Sequence, residues 1–135
     1  MEQIITTIRK MKIAREKMYD AMEEWHITAK PLLSNIGVIP KIYDIFKSVL
    51  GEKAQSTNGK KEFTFIIVFL YSPQRFFGGK MSDGLRKEIG RTLHLNSPNY
   101  ISLIFPDLML SYTTYKDFKS DVDKVISVIG DKLIR

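Results

Sequence analysis

The sequence predicts an all-α fold, and two observations support that class. Apolar residues recur at intervals of three and four positions near both ends of the chain, which is the spacing of amphipathic helices. The longest apolar run, residues 63–71, has no companion segment that reads only as a β-strand. The chain has 135 residues, 44% of them hydrophobic and 27% charged, so one compact domain is expected.

The first 25 residues predict an amphipathic helix. Its apolar residues follow a heptad-like spacing that is interrupted only at Arg15. The members of this stripe are Ile4, Ile8, Met11, Met18, Met22 and Trp25. The stripe either packs on its own domain or joins copies of the chain, so these six are candidate oligomerisation residues of a homo-oligomer.

The middle of the chain predicts two helices that begin at prolines. Pro31 starts a short helix over 31–37, and Pro40 starts a longer one over 40–50 that Gly51 caps. Residues 51–61 are polar and contain the dipeptide NG, which predicts a flexible basic loop. That loop is the expected boundary between an N-terminal region, 1–57, and a helical domain, 61–135, although both could form one unit.

The apolar run Phe63 to Tyr71 suits a buried helix or a buried strand. We expect a helix that ends at Ser72-Pro73, while a central strand there would make the domain α/β. A turn-rich connection, QRFFGGKMSDG, follows. From Tyr112 to the C-terminus, apolar residues at intervals of three and four predict one long helix.

The segment GLRKEIGRTLHLNSPNYISLIF, residues 84–105, predicts two helices joined by a polar turn. The first is capped by Ser82 or Asp83 and buries Leu85, Ile89 and Leu93 around an interior glycine, Gly90. The turn is Asn96-Ser97-Pro98, and the second helix directs Tyr100, Ile101 and Ile104 inward.

This segment resembles a helix-turn-helix, in which a small residue in the first helix lets the second helix cross closely. The glycine often found before the apolar residue of the turn is replaced by His94, and the turn is one residue longer than the commonest form. An ordinary helical hairpin, with Gly90 as a packing notch, is the alternative.

The resemblance implies that double-stranded DNA is the partner. Exposed residues early in the second helix would meet base edges in the major groove: Ser97, Asn99, Ser102 and Leu103. Basic residues around them would contact phosphates: Arg75, Lys80, Arg86, Lys87 and Arg91. The net charge of +6 agrees with an anionic partner, because both ends of the chain are balanced and the excess lies within 26–105.

In layout, residues 61–129 are similar to the C-terminal DNA-binding domain of bacterial replication initiators of the DnaA type. Small DNA-binding proteins of phages also combine such a unit with an oligomerising helix. The resemblance therefore implies a regulatory, replication or packaging role. The alternative is a structural or protein-interaction component, such as a virion or assembly protein.

No enzyme class is favoured, because neither histidine has a second histidine or a carboxylate at ligand spacing and no nucleophile motif is present. We expect no catalytic residues, metal or cofactor. The chain has no cysteine, its N-terminus lacks the pattern of a signal peptide, and no run approaches the length of a membrane span. A cytoplasmic location is expected.

Overall fold

The computed structural model describes residues 4–6, 8, 9, 13, 16, 31–97 and 99–134. Regular structure in these ranges is helical throughout, which confirms the all-α class. Within 31–134 the α-helices are α1, Ile39–Leu50; α2, Thr57–Tyr71; α3, Leu85–Thr92; α4, Asn99–Thr114; and α5, Lys116–Ile129. Shorter helical turns cover Ile36–Val38, Gly51–Gln55, Pro73–Phe77 and Gly130–Ile134. Over the described ranges, no helix is both long and apolar enough to cross a membrane.

Helix α2 is the centre of the fold. Its residues 62–68 are all buried, so this helix is enclosed on every side rather than on one stripe. A helix buried all round needs no polar face, and this explains the apolar run 63–71, which only Thr64 interrupts. The helix ends at Tyr71, before Ser72-Pro73, as predicted. The strand alternative is wrong.

Helix α1 confirms the predicted helix over 40–50. Pro40 lies in its first turn, and Gly51 follows its last residue with a φ of 62°, a conformation that favours glycine. The predicted helix over 31–37 is wrong, because Pro31 lies in a non-helical segment. The backbone N–H groups of Leu32 and Leu33 both donate to the carbonyl of Leu70, so this segment is bound to the end of α2 instead.

The predicted loop over 51–61 is also wrong. A 3-10 turn spans Gly51–Gln55, and α2 already begins at Thr57. Ser56 caps α2 by accepting a hydrogen bond from the N–H of Gly59 at 2.9 Å. Gly59 is buried, and a Cβ placed on it would lie 2.5 Å from the carbonyl oxygen of Ala54. The glycine permits close packing inside a helix here and does not mark a loop.

The predicted long helix from Tyr112 is divided. Tyr112 belongs to α4, Tyr115 is extended, and α5 begins at Lys116. The rings of Tyr112 and Phe118 both pack on Phe65, at centroid distances of 4.8 and 6.0 Å. Because both helices pack aromatic residues against the same ring, the apolar spacing continues across the break between them. The break therefore cannot be seen in the sequence pattern.

One hydrophobic core joins the helices within 31–134. It includes residues of α1, α2, α3, α4 and α5, and α5 packs against α1, α2 and α4. Ile4 and Ile8 are helical and 65% and 58% exposed. The other four candidate oligomerisation residues, Met11, Met18, Met22 and Trp25, lie outside the described residues. The division into 1–57 and 61–135 stays a prediction.

Candidate functional site

Helices α3 and α4 pack against each other through the faces that the sequence predicts. Leu85 and Ile89 of α3 and Ile101 of α4 are fully buried. Gly90 is also buried. The predicted cap by Ser82 or Asp83 is wrong, because Gly84 occupies the N-cap position with a φ of 79° and no side chain caps the helix.

The connection between these helices turns at His94, which has a φ of 55°. The N–H of Leu95 donates to the carbonyl of Gly90 at 2.9 Å, and that of His94 donates to Arg91 at 3.2 Å. This pair of bonds closes the end of a helix around a left-handed residue. His94 therefore has the backbone conformation that glycine adopts most easily. The connection, residues 93–98, is longer than the three or four residues usual in a helix-turn-helix.

The segment between α2 and α3 is held to the core by two serines. Ser72 is fully buried, and its hydroxyl accepts a hydrogen bond from the N–H of Ser82 at 2.9 Å. The two hydroxyls are 2.5 Å apart. These bonds close residues 73–81 into a loop beside α3, so the loop carries Arg75 and Lys80 to that helix.

An open depression of about 940 Å³ lies between this loop, the start of α3 and the first half of α4. Its polar and charged lining residues are Arg75, Lys80, Ser82, Asp83, Arg86, Lys87 and Ser102. We call it the basic depression. Four of the five predicted phosphate-contact residues line it, because the loop contributes Arg75 and Lys80 while α3 contributes Arg86 and Lys87.

The charge in the basic depression is strongly positive. Its described lining holds four cationic side chains against one carboxylate, Asp83. Cations gathered around one open depression attract an anion more strongly than the same charges dispersed over a surface. The Nη1 atom of Arg86 donates to the hydroxyl of Ser102 at 3.1 Å, which links α3 to α4 across the depression.

Arg91, the fifth predicted phosphate-contact residue, lies apart from the basic depression. Its Nη2 atom is 2.8 Å from Oε2 and 2.9 Å from Oε1 of Glu88. Its positive charge is therefore largely balanced within α3, although 75% of its side chain is exposed.

The residues proposed to read bases are exposed. Asn99 is the first residue of α4, and the hydroxyl of Ser97 accepts a hydrogen bond from its N–H at 3.2 Å. Ser102 lines the basic depression, whereas Asn99 does not. Leu103, four residues after Asn99 and so on the same face of the helix, is 75% exposed.

Sequence reasoning missed the aromatic member of this site, Phe105. It is half-buried and lines the basic depression, where the guanidinium carbon of Arg75 lies 4.3 Å from its ring centroid. The pair is 30 residues apart, so no local spacing could have revealed it. The sequence offers one hint of a contact between an arginine and an aromatic ring, because the tripeptide RFF follows the apolar run.

A separate polar cluster joins α2 and α5. Glu62 of α2 is 2% exposed, and burial together with the adjacent charge of Asp121 raises its pKa to about 8. Lys53 lies 2.7 Å from Asp121 and partly offsets this shift, whereas Asp117 adds to it. Glu62 is therefore mostly protonated at pH 7. The cluster lies outside the lining of the basic depression, and we assign no binding function to it.

Among the described residues, no group of three or more His, Cys, Asp or Glu side chains is arranged to hold a metal ion. No protein-family model matches this chain, and comparison with curated proteins and with solved structures finds no match.

Proposed function

We propose that this chain is a non-catalytic protein that binds double-stranded DNA through α3, the turn at His94 and α4. The gathering of four basic side chains into one depression beside α4 is the observation that carries this function. Arg75, Lys80, Arg86 and Lys87 come from two separate segments, and all four line it. Cationic side chains beside a recognition helix are what phosphate contacts require.

The exposed face of α4 is suited to contact base edges. The side chain of Asn99 could bond an adenine at two points, and Leu103 could pack against a thymine methyl group. Both are exposed near the N-terminus of the helix, which is the part of a recognition helix that meets base edges. The hydroxyl of Ser102 accepts a hydrogen bond from Arg86, a predicted phosphate-contact residue. This bond would fix the position of α4 relative to the phosphate-contact residues.

His94 supports the helix-turn-helix interpretation. The turn of that motif often holds a glycine, and His94 stands at that position with a φ of 55°, a conformation that glycine adopts most easily. The longer connection would change the angle between α3 and α4 without removing the exposed face of α4.

Oligomerisation belongs to the same proposal. Ile4 and Ile8 expose apolar side chains one helical turn apart. Burying such a stripe against a second copy would pair two DNA-binding units, as in dimeric helix-turn-helix proteins. Replacing both isoleucines with glutamate should lower the mass measured by analytical ultracentrifugation, and an unchanged mass would remove these residues from the proposal.

A titration of a mixed-sequence DNA duplex, followed by fluorescence anisotropy at several salt concentrations, tests the function. The test variant is Lys80→Ala, Arg86→Ala, Lys87→Ala. Loss of up to three phosphate contacts should reduce the slope of log affinity against log salt by about 2 to 3. The control removes the same charge from exposed sites outside the basic depression, as Lys41→Ala, Lys116→Ala, Lys124→Ala.

The control variant should retain the wild-type slope. Equal losses in the two variants would mean that DNA responds to net charge alone, and the basic depression would lose its assigned function. Absence of binding by the wild type would favour the structural or protein-interaction alternative.

A further inference from the structure

The guanidinium of Arg75 contacts an aromatic ring, and it forms no ion pair with a carboxylate in the part of the chain that the structure describes. It lies over the ring of Phe105, and that ring stacks with Phe76 at a centroid distance of 5.4 Å and an angle of 20°. Phe76 in turn packs on Phe65 at 5.1 Å. Arg75 is therefore attached to a series of rings that extends from the buried centre of α2 to the basic depression.

This contact with a ring is not a hydrogen bond to an oxygen acceptor, and it leaves N–H donors of the guanidinium available. The five N–H groups of an arginine lie in its plane, so a contact above a ring consumes none of them. Within the described residues, Arg75 forms no ion pair, whereas Arg91 is paired with Glu88. Of these two arginines, Arg75 has the in-plane donors free.

An oriented planar guanidinium binds a phosphate better than a mobile cation does. It can donate two parallel hydrogen bonds to two phosphate oxygens, and little side-chain entropy remains to be lost. Lys80, Arg86 and Lys87 line the same depression and supply further positive charge. The volume of about 940 Å³ leaves space for a phosphate with its attached sugar.

We infer that the basic depression is a phosphate-binding site in which Arg75, oriented by its contact with the ring of Phe105, binds one phosphate group through two hydrogen bonds. This inference rests on the proposed function as far as the source of the phosphate is concerned. A phosphodiester of bound DNA and a free phosphate ester offer the same oxygens. Arg75 is then the residue of the basic depression whose geometry matters, while the others contribute mainly charge.

Four substitutions separate geometry from charge in the same duplex titration. Arg75→Lys retains the charge but cannot donate two parallel bonds, so affinity should fall about tenfold with little change in salt slope. Phe105→Leu retains Arg75 but removes the ring beneath it, and affinity should fall about threefold. Arg75→Gln should also reduce the slope by about one. Arg9→Lys makes the same exchange at an exposed residue outside the basic depression, so it is the matched control and should leave affinity unchanged.

Thermal unfolding of each variant identifies any loss that comes from damage to the fold. Because Arg75→Lys leaves Phe105 and Phe76 in place, it keeps the inference testable even if Phe105→Leu unfolds. Duplex binding by the wild type that is unaffected by Arg75→Lys and by Phe105→Leu would overturn the inference while leaving the proposed function intact.

Calorimetric titration with pyrophosphate at low salt provides an arm that does not depend on DNA. The wild type could bind pyrophosphate but no duplex, with Arg75→Lys weakening the binding of pyrophosphate. In that case the proposed function is wrong, and the phosphate-binding site is retained with a free phosphate ester as its ligand. If neither duplex nor pyrophosphate binds, the inference is wrong together with the proposed function.

Discussion

Replacing Glu62 with glutamine should stabilise this protein by an amount that increases with pH. Glu62 is 2% exposed, and its pKa is raised to about 8 from an ordinary value of 4.5. The folded state therefore keeps the proton in a pH range where the unfolded chain has released it. Glutamine has nearly the same shape and remains neutral at every pH.

The size of the effect follows from the two pKa values. Below pH 4.5 Glu62 is protonated in the folded and the unfolded state, so its ionisation does not change the free energy of unfolding. Between pH 4.5 and 8 the unfolded state alone loses it, so wild-type stability falls as pH rises. With each pKa unit equivalent to about 1.4 kcal/mol, the accumulated difference is roughly 3 kcal/mol at pH 7. Above pH 8 both states release the proton, and the difference stops growing.

Urea unfolding of the wild type and Glu62→Gln at pH 5, 6, 7 and 8 measures this difference. Glu52→Gln makes the same chemical change at an exposed position of the neighbouring 3-10 turn and should leave stability unchanged at each pH. A gap between wild type and Glu62→Gln that stays constant from pH 5 to pH 8 would refute the assignment of a buried, protonated carboxyl. A glutamine variant less stable than wild type at pH 8 would do the same.

Two further substitutions test backbone assignments, both by urea unfolding at pH 6. Gly59→Ala places a Cβ 2.5 Å from the carbonyl oxygen of Ala54, so it should cost about 3 kcal/mol, whereas an ordinary exposed loop glycine would tolerate alanine. His94→Gly removes a side chain from a residue with a φ of 55° and should stabilise the fold by about 1 kcal/mol. A loss of stability in this variant would show that the imidazole makes a contact worth more than the strain.

The fold class could be predicted because the helical spacing and the buried run are local properties. A helix over 63–71 was predicted because no other segment read only as a partner strand, and the burial of residues 62–68 accounts for its lack of a polar face. The glycine at position 59 could not be interpreted correctly, since its reason is a carbonyl of the preceding turn. The end of α4 was hidden because Tyr112 and Phe118 pack on one ring.

The candidate site could be predicted as a set of residues but not as an arrangement. The sequence shows five basic residues near the segment 84–105, and each could equally have been part of a solvated face. Which of the five line the basic depression depends on tertiary contacts, because the bonds between Ser72 and Ser82 close the loop that carries Arg75. Arg91 forms an ion pair with Glu88, three residues before it, instead of lining the basic depression. The helical spacing of these two residues could have suggested this pair.

The most direct measurement of DNA binding by this surface is an NMR titration of the ¹⁵N-labelled chain with a short DNA duplex. Amide shifts should concentrate in residues 75–87 and 97–103, and adding salt should reverse them because phosphate contacts are salt-sensitive. Shifts confined to α1 and α5, or no shifts at low salt, would contradict DNA binding through the basic depression and α4.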